Sequence, residues 1–198
     1  MVARLVAFLF LAGCLFSSAL YAADPLAVSK DLAASKYKDW QYGSDPGKKQ
    51  VDCVQFLLSV VEESVGAPLV PNVRNRILIA ELSEAEKKHP ILGTLVVNGD
   101  ERIKGVQSAL VDASLGTAVP VADAAPGDLI QYWMKKSDGT WFGHAGVIES
   151  VDRTGVTPKA RIFGAHASPK PGNIGTSSFD LKLIDGTDDR KIYLVRVK

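Results

Sequence analysis

Cysteine is close to absent from this chain. Of 198 residues, two are cysteine (Cys14 and Cys53) and three are histidine (His89, His144 and His166). No Cys-x-x-Cys or His-x-x-x-His pair occurs, so the spacing that gathers zinc is missing and no metal is expected. A Gly-x-Ser-x-Gly elbow is absent, which argues against a Ser-His-Asp hydrolase, and so is a Gly-rich phosphate-binding loop. Charge of one sign is not in excess: 23 basic and 22 acidic residues leave a formal net charge of +1. With no Lys/Arg stripe to neutralise phosphates, nothing in the chain asks for nucleic acid. Repeats, low-complexity tracts and linkers are also lacking, and the length suits one domain.

The first residues read differently from the rest. Met1 to Arg4 is a short basic start, Leu5 to Phe16 is apolar and uncharged, and small residues lead to Ala22-Ala23-Asp24-Pro25. That order predicts a secretory signal peptide over 1–22, cut after Ala22 or Ala23, and a single domain over 23–198. The apolar run is shorter than the roughly 20 residues a spanning helix needs. The chain is therefore expected to be exported, to a periplasm or cell envelope. Leu11-Ala12-Gly13-Cys14 resembles a bacterial lipobox, in which Cys14 carries lipid and becomes the first residue. Leu15 to Tyr21 stays mostly apolar, whereas lipoproteins turn polar after that cysteine, so plain cleavage is preferred. Cys14 then leaves with the leader, and Cys53 remains alone. A lone thiol closes no internal disulfide; it is either buried and inert or kept for chemistry.

Hydrophobic periodicity divides the remaining chain in two. Asp24 to Trp40 reads as a short helix with Leu26, Leu32 and Ala33 inward, followed by turn residues from Gln41 to Gln50. In Val51 to Val65, Val54, Leu57, Leu58, Val61 and Val65 recur at the helical period. Asp52 and Gln55 have capping-box spacing, and Gly66 and Pro68 end the helix. Asn72 to Lys88 and Gly99 to Leu115 read as two further helices. After Pro120 the pattern becomes strand-like over Leu129–Met134, His144–Val151, Ala160–Ala165 and Lys191–Val197, with turns between. A hairpin-like loop joins the first two strands, so an antiparallel sheet is expected. Helices first and strands second gives an α+β fold. The segment 66–125 would be a helical insertion forming a lid, a side wall or extra structure.

Cys53 follows the cap residue and so lies in the first turn of its helix. There the free N–H groups and the helix dipole favour thiolate over thiol, as a cysteine nucleophile requires. The structural alternative is a small buried hydrophobe. His89 sits in Lys87-Lys88-His89-Pro90, a charged helix end, and reads as solvated. His144 opens a strand in Gly143-His144-Ala145-Gly146-Val147-Ile148, where small neighbours leave room for the ring and a ligand. His166 closes another in Phe163-Gly164-Ala165-His166. Taken singly, each is more commonly a hydrogen-bonded structural histidine. Taken together, His144 would accept the thiol proton, and His166 would bond its far nitrogen and fix the tautomer. The backbone N–H of Cys53 would supply an oxyanion hole.

These residues resemble a known family. Tyr42-Gly43, a turn, then Val51-Asp52-Cys53-x-x-Phe56 resembles the nucleophile segment of NlpC/P60 peptidases. Pro126-Gly127-Asp128-Leu129-Ile130 with Gly143-His144-Ala145-Gly146-Val147-Ile148 resembles their second block. His166-Ala167-Ser168, a Gly-containing loop and Phe179-Asp180-Leu181 resemble the third, and Tyr193 to Val197 their last strand. The resemblance runs from about residue 40 to the end. It implies a papain-like core with the cysteine helix on an antiparallel sheet, and Cys53, His144 and His166 as nucleophile, base and orienting residue. It implies Tyr42 beside the nucleophile, for oxyanion or substrate, and Asp52 at the amino end of the stem peptide. The reaction implied is amide hydrolysis in peptidoglycan stem peptides, with no metal or organic cofactor. The family usually has Ser-Gly after the nucleophile where Val54-Gln55 stand here, which opens the substrate to question. A related hydrolase or acyltransferase acting on lipid or another amide, and a non-catalytic envelope-binding module, are the alternatives.

Overall fold

The central helix is defined by its ends. The Asp52 carboxylate accepts the Gln55 N–H at 2.8 Å, meeting one of the donors that a helix start leaves free. Gly66 closes the other end at φ +70°, a left-handed cap that glycine adopts without a Cβ penalty. In the computed structural model, which describes residues 22–170, 172–184 and 186–198, this helix is the second of five. They are α1 (Pro25–Ala34), α2 (Cys53–Val65), α3 (Pro71–Ile77), α4 (Ile91–Asn98) and α5 (Val106–Asp112). The strands are β1 (Gln41–Tyr42), β2 (Gln50–Val51), β3 (Gly116–Val119), β4 (Leu129–Lys135), β5 (Trp141–Asp152), β6 (Lys159–His166), β7 (Asn173–Thr176), β8 (Leu181–Lys182) and β9 (Arg190–Val197). The predicted signal peptide and Cys14 lie outside the described residues, apart from Ala22. Among the described residues, no helix is long and apolar enough to cross a membrane.

The fold is α+β, as its sequence pattern predicts. Seven strands form one antiparallel sheet in the order β3-β9-β4-β5-β6-β7, with β8 beside β6. Period-2 alternation divides β5 between two cores. Ala145 and Val147 face α2, against Phe56, Leu57 and Val61. Ile148 faces the other side, with Ile130, Tyr132, Ile162, Ile192 and Leu194. A third cluster puts Leu92 and Val96 of α4 over Trp133 and Trp141. The segment 66–125, expected to be a helical insertion, is only partly so: α5 packs on β3, β4 and β9, while β3 itself joins the sheet as an edge strand beside β9.

Three predicted helices are shorter than their periodicity suggests. The one expected over 24–40 stops at Ala34, where the Ser35 hydroxyl bonds Asp31 O and Asp39 takes φ +64°. The one expected over 72–88 stops at Ile77: Ile79 takes φ +52°, and both the N–H and the hydroxyl of Ser83 bond the Glu86 carboxylate. The one expected over 99–115 breaks at Gly105, φ +52°, into a 3-10 turn and α5. Local polar bonds outcompete helix continuation at the first two breaks. At the third, residue 105 takes a positive φ that glycine adopts without a Cβ penalty, and a Cβ there would stand tightly at 3.1 Å from Gln131 Oε1. Helix α4 and strands β1, β2, β3, β7 and β8 were not anticipated, and Val51, read as the start of the helix, belongs to β2. The helix is apolar nearly all round, and the strands are four residues or fewer.

Candidate active site

Cys53 begins α2 and is 8% exposed. Its surroundings follow from the register of β5. The Ile148 N–H bonds Asp128 O at 2.8 Å, so alternate amides of β5 point to β4 and that of Ala145 points the other way. Pairing of β5 with β6 begins only at Val147↔Phe163. The Ala145 amide lies beyond that ladder and is turned onto the Cys53 thiol, as are the N–H groups of Cys53 and Val54. A sulfur anion or a substrate oxyanion would find donors there. The small residues around His144 are packing requirements rather than open room for a ligand. A Cβ at Gly143 would stand 2.9 Å from the Trp133 ring, and one at Gly146 would stand 2.7 Å from Phe163 O.

The residue preceding Ala145, His144, is half-buried, and strand alternation puts its side chain on the opposite face of β5. Its ring centroid lies 4.8 Å from that of His166, with planes inclined 33°, and 5.5 Å from Tyr132, edge to face. The Nε2 atom of His144 is buried and has no hydrogen-bond partner. The expected hydrogen bond from His166 to His144 is not what joins them. The rings stack, and His166 Nε2 donates instead to Gly175 O at 3.0 Å. His89, expected to be solvated, is exposed, but its Nε2 accepts the Trp141 N–H at 2.6 Å and ties the turn before α4 to the start of β5.

Tyr42 stands on β1, and its hydroxyl lies within the field of both Cys53 and Asp52. Burial first, then those two charges, pushes its pKa up to about 12, so it remains a proton donor at neutral pH. One oxygen of Asp52 is committed to the α2 cap; burial raises this carboxyl, opposed by the Gln55 and Val54 amides. Gly172 locks Tyr42 against the end of β6: a Cβ there would meet Tyr42 Cβ at 2.5 Å and His166 O at 2.6 Å. Gly172→Ala should therefore cost about 1–3 kcal/mol of stability by overpacking. It should also displace Tyr42 and His166, to be read as a lowered melting temperature together with reduced labelling of Cys53.

The ionisation of the pair departs from the expectation of a depressed thiol pKa. Burial pushes the Cys53 thiol up to about 11, against the Ala145 amide and with the help of the Asp52 charge. Burial, and then repulsion from His166, lowers His144 to about 3. Thiol and imidazole therefore rest neutral at pH 7. For His144 the unfolded state takes up its proton first as pH falls, so stability is lost below about 6.5. For Cys53 the folded state keeps its proton longer, so stability falls as pH rises from 9 towards 11. The melting temperature should accordingly be flat between about pH 6.5 and 9 and decline on both sides. A melt series that kept rising below pH 6 would contradict the burial of His144.

The structure thus brings Tyr42, Asp52, Cys53, His144 and His166 to one end of α2 and the adjoining strands. The sequence reading missed Tyr132 and the Ala145 amide. Counting back across the β4–β5 hairpin pairs Tyr132 with His144, a signal that was there once the turn was placed. Clefts also lie away from these residues, among them one of about 430 Å³ between α3 and α5, lined by Val73, Arg76 and Asp112. Among the described residues, no three His, Cys, Asp or Glu side chains gather as a metal would need. No protein-family model, curated protein or solved structure matches this chain.

Proposed function

We propose that this chain is an exported cysteine hydrolase with a papain-like NlpC/P60 core, acting on an amide bond in peptidoglycan stem peptides. The observation that carries the reading is local. Cys53 sits in the first turn of a buried helix, against the amide of Ala145, and the preceding residue, His144, holds a buried Nε2 without a partner. A lone pair buried without a donor costs roughly 1–3 kcal/mol, and a general base that takes up the thiol proton during attack would have a use for it.

In this reading the thiol approaches the substrate carbonyl and its proton passes to His144 Nε2. The new S–C bond gives a tetrahedral oxyanion facing the Cys53 and Ala145 amides and the Tyr42 hydroxyl. Collapse breaks the C–N bond, and His144 returns the proton to the leaving amine. Water then attacks the thioester, giving one proton to His144; collapse breaks the S–C bond, the carboxylic acid leaves, and His144 returns that proton to the Cys53 sulfur. Because both groups start neutral, proton transfer accompanies attack instead of preceding it. His166, whose ring lies 4.8 Å from the imidazole, orients it.

The test is incubation of the mature domain with defined tri-, tetra- and cross-linked muropeptides, with products read by mass spectrometry. A new amine and acid pair, absent with Cys53→Ala and His144→Ala, names the bond. A second reading, a non-catalytic envelope-binding module, is favoured by the neutral pair and by the raised thiol pKa. It expects intact muropeptides and slow alkylation of Cys53 by iodoacetamide at neutral pH.

A further inference from the structure

We propose that Tyr132 is a positioning residue that, with His166, clamps the imidazole of His144 between two rings. The inference rests on the hydrolase reading and deepens it. Its basis is a row across three consecutive strands. Tyr132 of β4 is the direct register partner of His144 of β5, and His166 closes the paired end of β6 on the other side. Directly opposed residues share one face of a sheet, with Cβ atoms about 4.5–5.5 Å apart. The rings meet accordingly: Tyr132 lies edge to face on His144 at 5.5 Å, and His166 lies at 4.8 Å with its plane inclined 33°.

Hydrogen bonds ordinarily fix the tautomer and rotation of a catalytic imidazole. Here the His166 donor is engaged by Gly175 O, and His144 Nε2 has no partner. The contacts the structure shows on the imidazole are the two ring contacts, one from each flanking strand. Tyr132 is suited to holding the imidazole because it is packed on all sides: it is 1% exposed and set among Ile130, Ile148 and Ile192. Its phenol also stays protonated, since burial and then the Cys53 charge raise its pKa well above the usual value. The titratable groups facing His144 are thus Tyr132 from β4 and His166 from β6, with Cys53 reached through the neighbouring Ala145 amide.

The test compares Tyr132→Phe with Tyr132→Leu, with Tyr132→Met as the replacement that better fills the buried volume. It follows His144 by NMR titration, and kcat and KM on the cleaved muropeptide. With the ring kept, Tyr132→Phe should stay within about threefold of the parent in both. Without it, kcat should fall roughly 10- to 100-fold at nearly unchanged KM, the cost of a misplaced catalytic group. The His144 titration should then move up towards its ordinary 6.5. A folded Leu or Met variant with an unmoved titration overturns the proposal, as does a Phe variant as impaired as they are. A residue that merely packs would lower the melting temperature of Leu and Met variants and leave the titration in place. Should the parent protein cleave no muropeptide, the hydrolase reading falls, while the titration still decides whether Tyr132 holds His144.

Discussion

Cys53→Ala and His144→Ala are each expected to lower kcat/KM by about 10⁴-fold or more, and the double variant is expected to be no worse than either. A nucleophile and its base act as one unit, so losing one leaves little for the other to lose. The neutral resting pair sharpens this expectation. A thiol raised to about 11 is almost wholly protonated at pH 7, so without the imidazole to receive its proton it scarcely reacts. The histidine variant carries a second signature. Removing a group lowered to about 3 by burial should reduce the loss of stability below pH 6.5, leaving the part due to His166, which burial also lowers, whatever the cavity costs at neutral pH. Steady-state kinetics on the four proteins and melts from pH 4 to 8 check both. Losses that add in the double variant would show two residues acting independently.

Asp128→Ala is expected to be the most damaging substitution outside the site, at about 3 kcal/mol. The side chain is 1% exposed. One oxygen accepts Arg196 Nε at 2.7 Å; the other accepts Arg196 Nη2 at 2.9 Å and the Ala125 N–H at 2.8 Å. The backbone carbonyl of Asp128 receives the Ile148 N–H, so the same residue sets the register that aims the Ala145 amide. Removing one partner of a buried ion pair costs about 3–5 kcal/mol. The lower end applies because the Arg196 side chain is half exposed and can rehydrate, while the Ala125 amide loses its acceptor. For a domain of this size that is a fall of about 6–12 °C in melting temperature. Specific activity of the folded fraction should persist, because no atom of Asp128's side chain is among the site contacts. Calorimetry beside an activity assay at 20 °C separates these effects. The Pro126-Gly127-Asp128 block is thus accounted for by structure: a turn at Gly127, φ +89°, followed by a carboxylate that anchors β9.

What was legible in the sequence was what short-range physics decides. The α2 helix was readable because its apolar period, its Asp52 cap and its Gly66 stop agree. The β4–β5 hairpin and β9 were readable because branched and aromatic residues cluster between turns. The helices of 66–125 were misjudged where side chains such as Ser83 and Glu86 bond locally and end a run that periodicity alone would extend. The residues of the site were named from the sequence, but not the relations between them. Helix position argued for a low thiol pKa, whereas burial at 8% exposure is a tertiary fact and acts in the opposite direction. Likewise, order along the chain suggested a His166–His144 hydrogen bond. Only the curl of β7 onto β6 brings the Gly175 carbonyl in to claim that donor.

The central claim is that Cys53 is a nucleophile addressed by a stem-peptide carbonyl. Its most direct test is a stem-peptide analogue whose scissile amide is replaced by an electrophilic ketone, followed by intact-mass and peptide-mapping spectrometry. The account predicts one adduct per chain, on Cys53, formed at least tenfold more slowly in His144→Ala and suppressed by excess muropeptide. An unmodified chain, in a sample whose Cys53 is alkylated readily once unfolded, would contradict it and leave a buried thiol with no part in catalysis.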